Sequence, residues 1–155
     1  MLIYPFSLIP QHSETNSVAL LPAQETELEI VDQRVSLTEE ELDLIAAVVY
    51  AEARGEPMDG KVAVVNVILN RLKSGDFPDT ISEIIFQGSA FSPVRNGWRE
   101  KYKPTQDCYD AIEQALVSED NTNGALYFYN PKIAKDGWIR SRRILVTINN
   151  HTFAK

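Results

Sequence analysis

Hydrophobic and polar positions in the central part of the chain follow a helical period. Ile45, Val48 and Val49 form one apolar stripe at the spacing of an α-helix. Upstream of the stripe, Thr38 is a suitable N-cap, and Glu41 three residues later completes a capping box. The pattern therefore predicts a first helix that begins just after Thr38 and buries the stripe.

A longer apolar run follows. Gly55 can end the first helix through a left-handed turn, and Pro57 suits the first turn of the next helix. Residues 58–73 are apolar on most sides of a helix, and Gly75 follows them as a stop signal. We therefore predict that this second helix forms the centre of the core.

The remainder of the chain combines shorter helices with strands. Residues 80–86 carry their own capping pattern, and Thr105 can cap a further helix that ends near residues 121–124. Beyond it the period changes to two, and residues 125–129 and 143–149 have the alternation of strands. The predicted class is α+β, with helices first and a small antiparallel sheet last.

Glu52 is the residue of greatest chemical interest, because it lies one turn beyond Val48 and Val49 on the apolar face. Burial and the negative end of the helix dipole should both raise the pKa of a carboxyl group there. A carboxylic acid that stays protonated near neutral pH is suited to general acid catalysis at a glycosidic oxygen. The alternative is a Glu at a frayed helix end that reaches water. Glu56 belongs to the following turn and is a candidate structural partner.

Length, composition and charge limit the possible classes of protein. The 155 residues are 44% hydrophobic, which fits one soluble globular domain with a sizeable core. The formal net charge of -7 argues against nucleic acid as the main partner. Residues 1–34 contribute strongly to this charge, since they carry five acidic residues and one basic residue.

Cysteine and histidine are too few for the usual metal or thiol chemistry. A single cysteine, Cys108, excludes an intramolecular disulfide, and we expect it to pack in a helix. His12 and His151 are far apart and match no zinc-binding spacing. We therefore expect no metal and no cofactor, and we expect His151 to hold the carboxy-terminal chain in place.

Residues 1–36 differ from the rest of the chain. Residues 1–10 form an apolar run that is short, is interrupted by two prolines, and has no preceding Lys or Arg. We expect neither a complete export signal nor a membrane span from them. Residues 11–35 are polar and acidic with little periodicity. The expected organisation is thus a flexible acidic leader over residues 1–36 and a folded domain over residues 37–155.

Five separated motifs carry a resemblance to a known family. They are YAEARGEP at 50–57, VVNVILNR at 64–71, FSPV at 91–94, ALYFYNP at 125–131 and HTF at 151–153. Together, and in this order, they resemble the SleB/CwlJ-type cell wall hydrolases, the spore cortex-lytic enzyme family. The resemblance extends over the whole predicted domain.

This resemblance implies a lysozyme-like helical core with a small antiparallel sheet near the C-terminus, acting on peptidoglycan glycan strands. Members cleave the β-glycosidic bond between N-acetylmuramic acid and N-acetylglucosamine, the better-studied ones as lytic transglycosylases. The family's catalytic Glu matches Glu52, and one carboxyl group suffices for a transglycosylase. A retaining or inverting hydrolase needs a second carboxylate at about 5–5.5 or 6.5–9.5 Å. Within the motifs only Glu56 is a candidate for it.

Several residues are candidates for binding the glycan. Phe91 and Ser92 lie in a loop that should approach the groove, although Phe91 can equally plug the core. The rings of Tyr127 and Tyr129 suit the apolar faces of pyranoses, and the amide of Asn130 suits an N-acetyl group. The full set of expected substrate-binding residues is Glu56, Phe91, Ser92, Tyr127, Tyr129, Asn130 and Trp138.

Two other functions stay open. An N-acetylmuramoyl-L-alanine amidase would usually need zinc, for which the sequence offers no credible ligand set. A non-catalytic wall-binding module is the other alternative, and an intact Glu52 argues against it. The sequence shows no separate peptidoglycan-binding repeat, so we expect the shorter CwlJ-like plan, or a truncated or phage-borne form. We expect a monomer on the cell-wall, spore or periplasmic side, although no export signal is evident.

Overall fold

The computed structural model describes residues 35–87, 91 and 97–155. Most of the predicted leader and the candidate residue Ser92 lie outside the described residues. The described elements, in chain order, are α1 (Glu39–Ala53), α2 (Met58–Ser74), α3 (Ile81–Phe86), α4 (Trp98–Lys101), α5 (Gln106–Val117), β1 (Tyr127–Tyr129), α6 (Gly137–Arg140), β2 (Ile144–Ile148) and β3 (His151–Ala154). The predicted α+β class, with a helical core and a small antiparallel sheet near the C-terminus, is confirmed.

Helix α1 begins as the sequence predicts. The Thr38 side chain accepts a hydrogen bond from the backbone N–H of Glu41, and the Glu41 carboxylate accepts one from the backbone N–H of Thr38 at 2.9 Å. The end of α1 is different from the prediction. Arg54 is the C-cap in a right-handed conformation with φ -57°, and Gly55 is not among the glycines with positive φ. The left-handed turn predicted at Gly55 is therefore wrong, because the backbone N–H of Glu56 instead closes a tight turn on the Ala53 carbonyl at 2.9 Å.

Helix α2 lies at the centre of the core. Its side chains are buried without interruption over residues 60–69, and Gly75 ends it with φ 73°, as predicted. It packs against α1 and α5, and the fully buried side chains at the contact include Ile45, Ile68 and Ile112. A helix that is apolar on most sides must be covered by other elements on most sides, which explains its central position.

The sheet contains one strand that the sequence pattern did not predict. Its order is β1–β3–β2, so β3 is central and pairs antiparallel with both neighbours. All four residues of β3 are buried, which removes the alternation by which a strand is recognised. Asn149 and Asn150 form the turn that joins β2 to β3, and Asn149 adopts a left-handed φ of 49°.

Side chains of α2 hold the segment that leads into β1. The Asn70 amide donates hydrogen bonds to the Asp120 carboxylate at 2.9 Å and to the Ala125 carbonyl at 3.1 Å. One residue further along α2, the Arg71 Nε donates to the Leu126 carbonyl at 2.7 Å. These bonds fix the start of β1 against the C-terminal part of α2.

In the part of the chain that the structure describes, no helix is both long and apolar enough to cross a membrane.

Candidate active site

A cleft of about 510 Å³ brings Glu52 together with three of the predicted aromatic residues. Glu52 comes from the last turn of α1, whereas Tyr127 and Tyr129 come from β1 and Trp138 from α6. These elements are far apart in the sequence, and the cleft forms where the sheet packs against α2.

Glu52 has the environment expected from its position on the helix. Its side chain is half-buried, and burial raises the pKa of its carboxyl group, as predicted. No basic residue occupies the last turn of α1 to offset this effect. Among the described residues, none donates a hydrogen bond to the Glu52 carboxyl group or forms an ion pair with it. A carboxyl group in this setting can hold a proton and deliver it to a ligand in the cleft.

The aromatic wall of the cleft is packed against neighbouring side chains on one side and open to solvent on the other. The rings of Tyr127 and Trp138 meet edge to face at 5.2 Å, and Phe77 packs on Tyr127 at 6.1 Å. The Arg142 guanidinium stacks on the Trp138 ring at 4.4 Å, although half of Trp138 remains exposed. The wall thus presents ring faces that are already packed in position to a ligand in the cleft.

Glu56 lies outside the lining of this cleft, and its carboxylate is already engaged. The Asn149 and Asn150 side chains donate hydrogen bonds to its two oxygens at 2.6 and 3.0 Å, and the Asn150 backbone N–H adds a third at 3.3 Å. Burial acts to raise the pKa of Glu56, but these bonds and the neighbouring His151 outweigh it and lower the pKa. The arrangement favours the structural role of Glu56 over substrate binding and over the role of a second catalytic carboxylate.

The packing around Glu56 also explains why position 60 on the following helix is a glycine. A Cβ added to Gly60 would lie 2.9 Å from the Cβ of Glu56, closer than side chains can approach. His151 completes the cluster, buried with its Nδ1 3.9 Å from the Glu56 carboxylate. The bonds from Asn149 and Asn150 therefore join the turn after α1 to the turn between β2 and β3, whereas the Nδ1 of His151 has no hydrogen-bond partner among the described residues.

We expect Glu56→Ala to lower the free energy of unfolding by about 1–3 kcal/mol, because it leaves partly buried amide donors without an acceptor. Glu56→Gln keeps one acceptor oxygen and should cost less. Because the folded-state pKa of Glu56 is lowered, its stabilising contribution is present above the ordinary Glu pKa and is lost as pH falls through the lowered value. Urea denaturation of wild type and both variants at neutral and acidic pH measures the free energies of unfolding. Equal stability of Glu56→Ala and wild type at neutral pH would contradict the structural role of Glu56.

Two other predicted binding residues have their side chains committed elsewhere. Phe91 is 2% exposed and packs against Phe128 at 6.3 Å, so it plugs the core and offers little surface to a ligand. The Asn130 side chain accepts a hydrogen bond from the backbone N–H of Lys132 at 3.0 Å and thereby caps the turn after β1. Asn130 is also absent from the described lining of the cleft.

The cleft contains residues that sequence reasoning missed, chiefly Arg71, Phe77 and Asp136. Arg71 stands in the last turn of α2, where a cation is normally explained by the helix dipole. Asp136 is the N-cap of α6, and its carboxylate accepts from the Trp138 backbone N–H at 2.8 Å. No spacing in the sequence relates these residues to Glu52.

Within residues 35–87, 91 and 97–155, no group of three or more His, Cys, Asp or Glu side chains is arranged to hold a metal ion.

A half-buried carboxylic acid with a raised pKa in a cleft is the arrangement that a general acid at a glycosidic oxygen requires. The chain belongs to the Cell Wall Hydrolase family, whose family model matches residues 55–154. The family resemblance seen in the sequence motifs is thereby confirmed.

Named relatives and solved structures agree with this membership. The spore cortex-lytic enzyme of Oceanobacillus iheyensis is 43% identical over 120 residues, which cover 76% of this chain and 42% of that protein. The cell wall hydrolase CwlJ of Bacillus subtilis is 30% identical over 105 residues, which cover 63% of this chain and 72% of that protein. The catalytic domain of the germination-specific lytic transglycosylase SleB from Bacillus anthracis matches with a TM-score of 0.72 at 38% identity, covering 77% of this chain and 98% of that domain. The chain thus spans less than half of the first of these proteins but corresponds to nearly all of the SleB catalytic domain.

Proposed function

We propose that this chain is a peptidoglycan-degrading glycosylase that cleaves the β-glycosidic bond between N-acetylmuramic acid and N-acetylglucosamine, acting as a lytic transglycosylase. The observation that carries the proposal is the half-buried Glu52, whose pKa burial raises and which lines a cleft with aromatic walls. The similarity to a lytic transglycosylase domain at 38% identity supports the same reaction. No metal or cofactor is needed for it.

In this mechanism Glu52 serves first as an acid and then as a base. Its protonated carboxyl group donates the proton to the glycosidic oxygen as the bond to C1 of the muramoyl residue breaks, so the leaving sugar departs with a free hydroxyl. The muramoyl C6 hydroxyl then attacks C1, and the Glu52 carboxylate accepts the proton that this hydroxyl releases. A 1,6-anhydro end forms without water, and Glu52 regains its starting protonation state.

Binding of the glycan is assigned to the ring faces of Tyr127, Tyr129 and Trp138 beside Glu52. The exposure of Trp138 leaves room for a sugar at the edge of the cleft. We expect the domain to act as a monomer on the wall side of the membrane, with spore cortex or vegetative wall as its substrate.

A hydrolase with two carboxylates is the second candidate, because Asp136 lines the same cleft. Glu56, the second carboxylate suggested by the motifs, is occupied by Asn149 and Asn150 and cannot serve without losing those bonds. The Asp136 carboxylate accepts a hydrogen bond from the Trp138 backbone N–H, which holds it in position in the lining of the cleft. A second carboxylate in the cleft can orient water, so this candidate requires a direct test.

Mass spectrometry of the muropeptides released from purified sacculi, with spore cortex in parallel, separates the possible reactions. We expect anhydromuramic ends, since the proposed reaction uses an internal hydroxyl and no water. Reducing ends would instead indicate the two-carboxylate hydrolase. Free peptide stems with intact glycan would indicate an amidase, and the absence of any product would indicate a non-catalytic wall-binding module.

A further inference from the structure

The Arg71 side chain is a buried cation without a counter-ion among the described residues. It is 5% exposed, yet it forms part of the lining of the Glu52 cleft. Ion pairs within the described part of the chain involve Lys61 and Arg99, and none involves Arg71. Burial lowers the pKa of Arg71 to about 10, so the guanidinium remains charged at neutral pH. A buried charge in a protein is normally paired, and this one calls for an explanation.

Aromatic faces and one carbonyl group hold the guanidinium in a fixed position. Its central carbon lies 4.9 Å from the ring centroid of Phe77, 5.1 Å from that of Phe91 and 5.5 Å from that of Tyr127. The Nε donates to the Leu126 carbonyl, which sets the orientation of the plane. Rotation of the group is therefore restricted, as it would be in a preformed binding site.

The hydrogen-bonding capacity of Arg71 is only partly used. A guanidinium carries five N–H donors, and the Nη1 atom of Arg71 is buried without a partner among the described residues. An unsatisfied buried donor is costly, and it becomes favourable when a ligand supplies the acceptor. A role in fixing β1 would account for the Nε bond but not for the unsatisfied Nη1 donor of a residue that lines the cleft.

We propose that Arg71 is a substrate-binding residue whose guanidinium donates hydrogen bonds to a planar oxygen acceptor on the sugar that occupies the Glu52 cleft. The inference rests on the proposed function, because it needs a glycan in that cleft. Two groups of a muramoyl residue present the required chemistry, the N-acetyl carbonyl and the lactyl carboxylate. A planar guanidinium can donate hydrogen bonds to either group, and its fixed plane selects sugars that place such an oxygen correctly.

The test compares wild type, Arg71→Lys and Arg71→Gln on three peptide-free glycan substrates. The first is N-acetylated with free lactyl carboxylates, the second is the same material after N-deacetylation, and the third is N-acetylated with its lactyl carboxyls amidated. For wild type we expect kcat/KM to fall on the second or the third substrate, which identifies the acceptor. For both variants we expect KM on the first substrate to rise about tenfold or more, and the preference among the three substrates to disappear.

Asn70→Ala is the matched control, since Asn70 fixes the same segment before β1 through the Ala125 carbonyl. Thermal unfolding of all variants is measured alongside the kinetics, and Asn70→Ala should lose stability while keeping the wild-type substrate preference. The proposal is overturned if the Arg71 variants also lose only stability, or if wild type treats the three substrates alike. Failure of wild type to cleave any glycan would overturn the proposed function, and this inference with it.

Discussion

Glu52→Gln should leave the domain folded while it lowers the release of glycan fragments by about 10²–10⁴-fold, the usual contribution of general acid–base catalysis. The amide preserves the shape of the side chain and its capacity for hydrogen bonds, but it cannot transfer the proton to the leaving oxygen. Muropeptide release from sacculi measures the rate, and sedimentation with sacculi measures whether binding is kept. Near-wild-type release by this variant would mean that the reaction depends on a different residue.

Asp136→Asn is the matched control within the same cleft. An Asn at this position keeps an acceptor for the Trp138 backbone N–H, so the cap of α6 should survive. Under the single-acid mechanism the loss of activity should be much smaller than that of Glu52→Gln. A loss of equal size, together with reducing ends in the products, would support two catalytic carboxylates instead.

The raised pKa of Glu52 also predicts a dependence on pH. Activity requires the protonated acid, so kcat/KM should fall as pH rises through the raised pKa of Glu52. Stability should respond in the same pH range. A carboxyl group whose folded-state pKa is raised favours the fold below the ordinary Glu pKa and loses that contribution as pH rises through the raised value. Glu52→Gln should consequently be at least as stable as wild type at neutral pH, and a destabilised variant would argue against burial as the cause.

Ile68→Ala should lower the free energy of unfolding by about 2–5 kcal/mol. Ile68 is fully buried at the centre of α2, between α1 and α5, so the truncated side chain leaves a cavity that the surrounding helices cannot fill completely. Urea denaturation measures the loss. Because typical domains are stable by about 5–15 kcal/mol, the change should be large enough to lower the yield of soluble protein.

Two further variants make this stability test specific. Ile68→Val removes one methylene group and should cost about 0.5–1.5 kcal/mol. Val117→Ala at the end of α5 removes apolar atoms from a side chain that is 76% exposed, so its effect should lie within about 0.5 kcal/mol. A cost of Ile68→Ala as small as that of Val117→Ala would contradict the assignment of α2 to the core.

Some candidate site residues could be interpreted from their sequence neighbours, whereas the roles of others depend on residues that are distant in the sequence. The raised pKa of Glu52 was predicted because its cause, a carboxyl group on the buried face of a helix, is visible from the apolar stripe of Ile45, Val48 and Val49. The structural role of Glu56 was left open because its partners, Asn149 and Asn150, lie more than 90 positions away. Phe91 was likewise ambiguous, since only packing decides whether an aromatic residue in a loop enters the core or a groove.

The helices that have caps and a 3.6-residue period, the class of the fold and the family could be predicted from the sequence, which also singles out Glu52 as the candidate acid. These properties depend on neighbouring residues or on ordered motifs. The tertiary structure decided the central strand β3, whose four buried residues lack alternation, and the placement of Arg71 and Asp136 in the cleft with Glu52. The physical reason is that burial on both faces of a strand, and contact between distant elements, depend on long-range packing that no local period records.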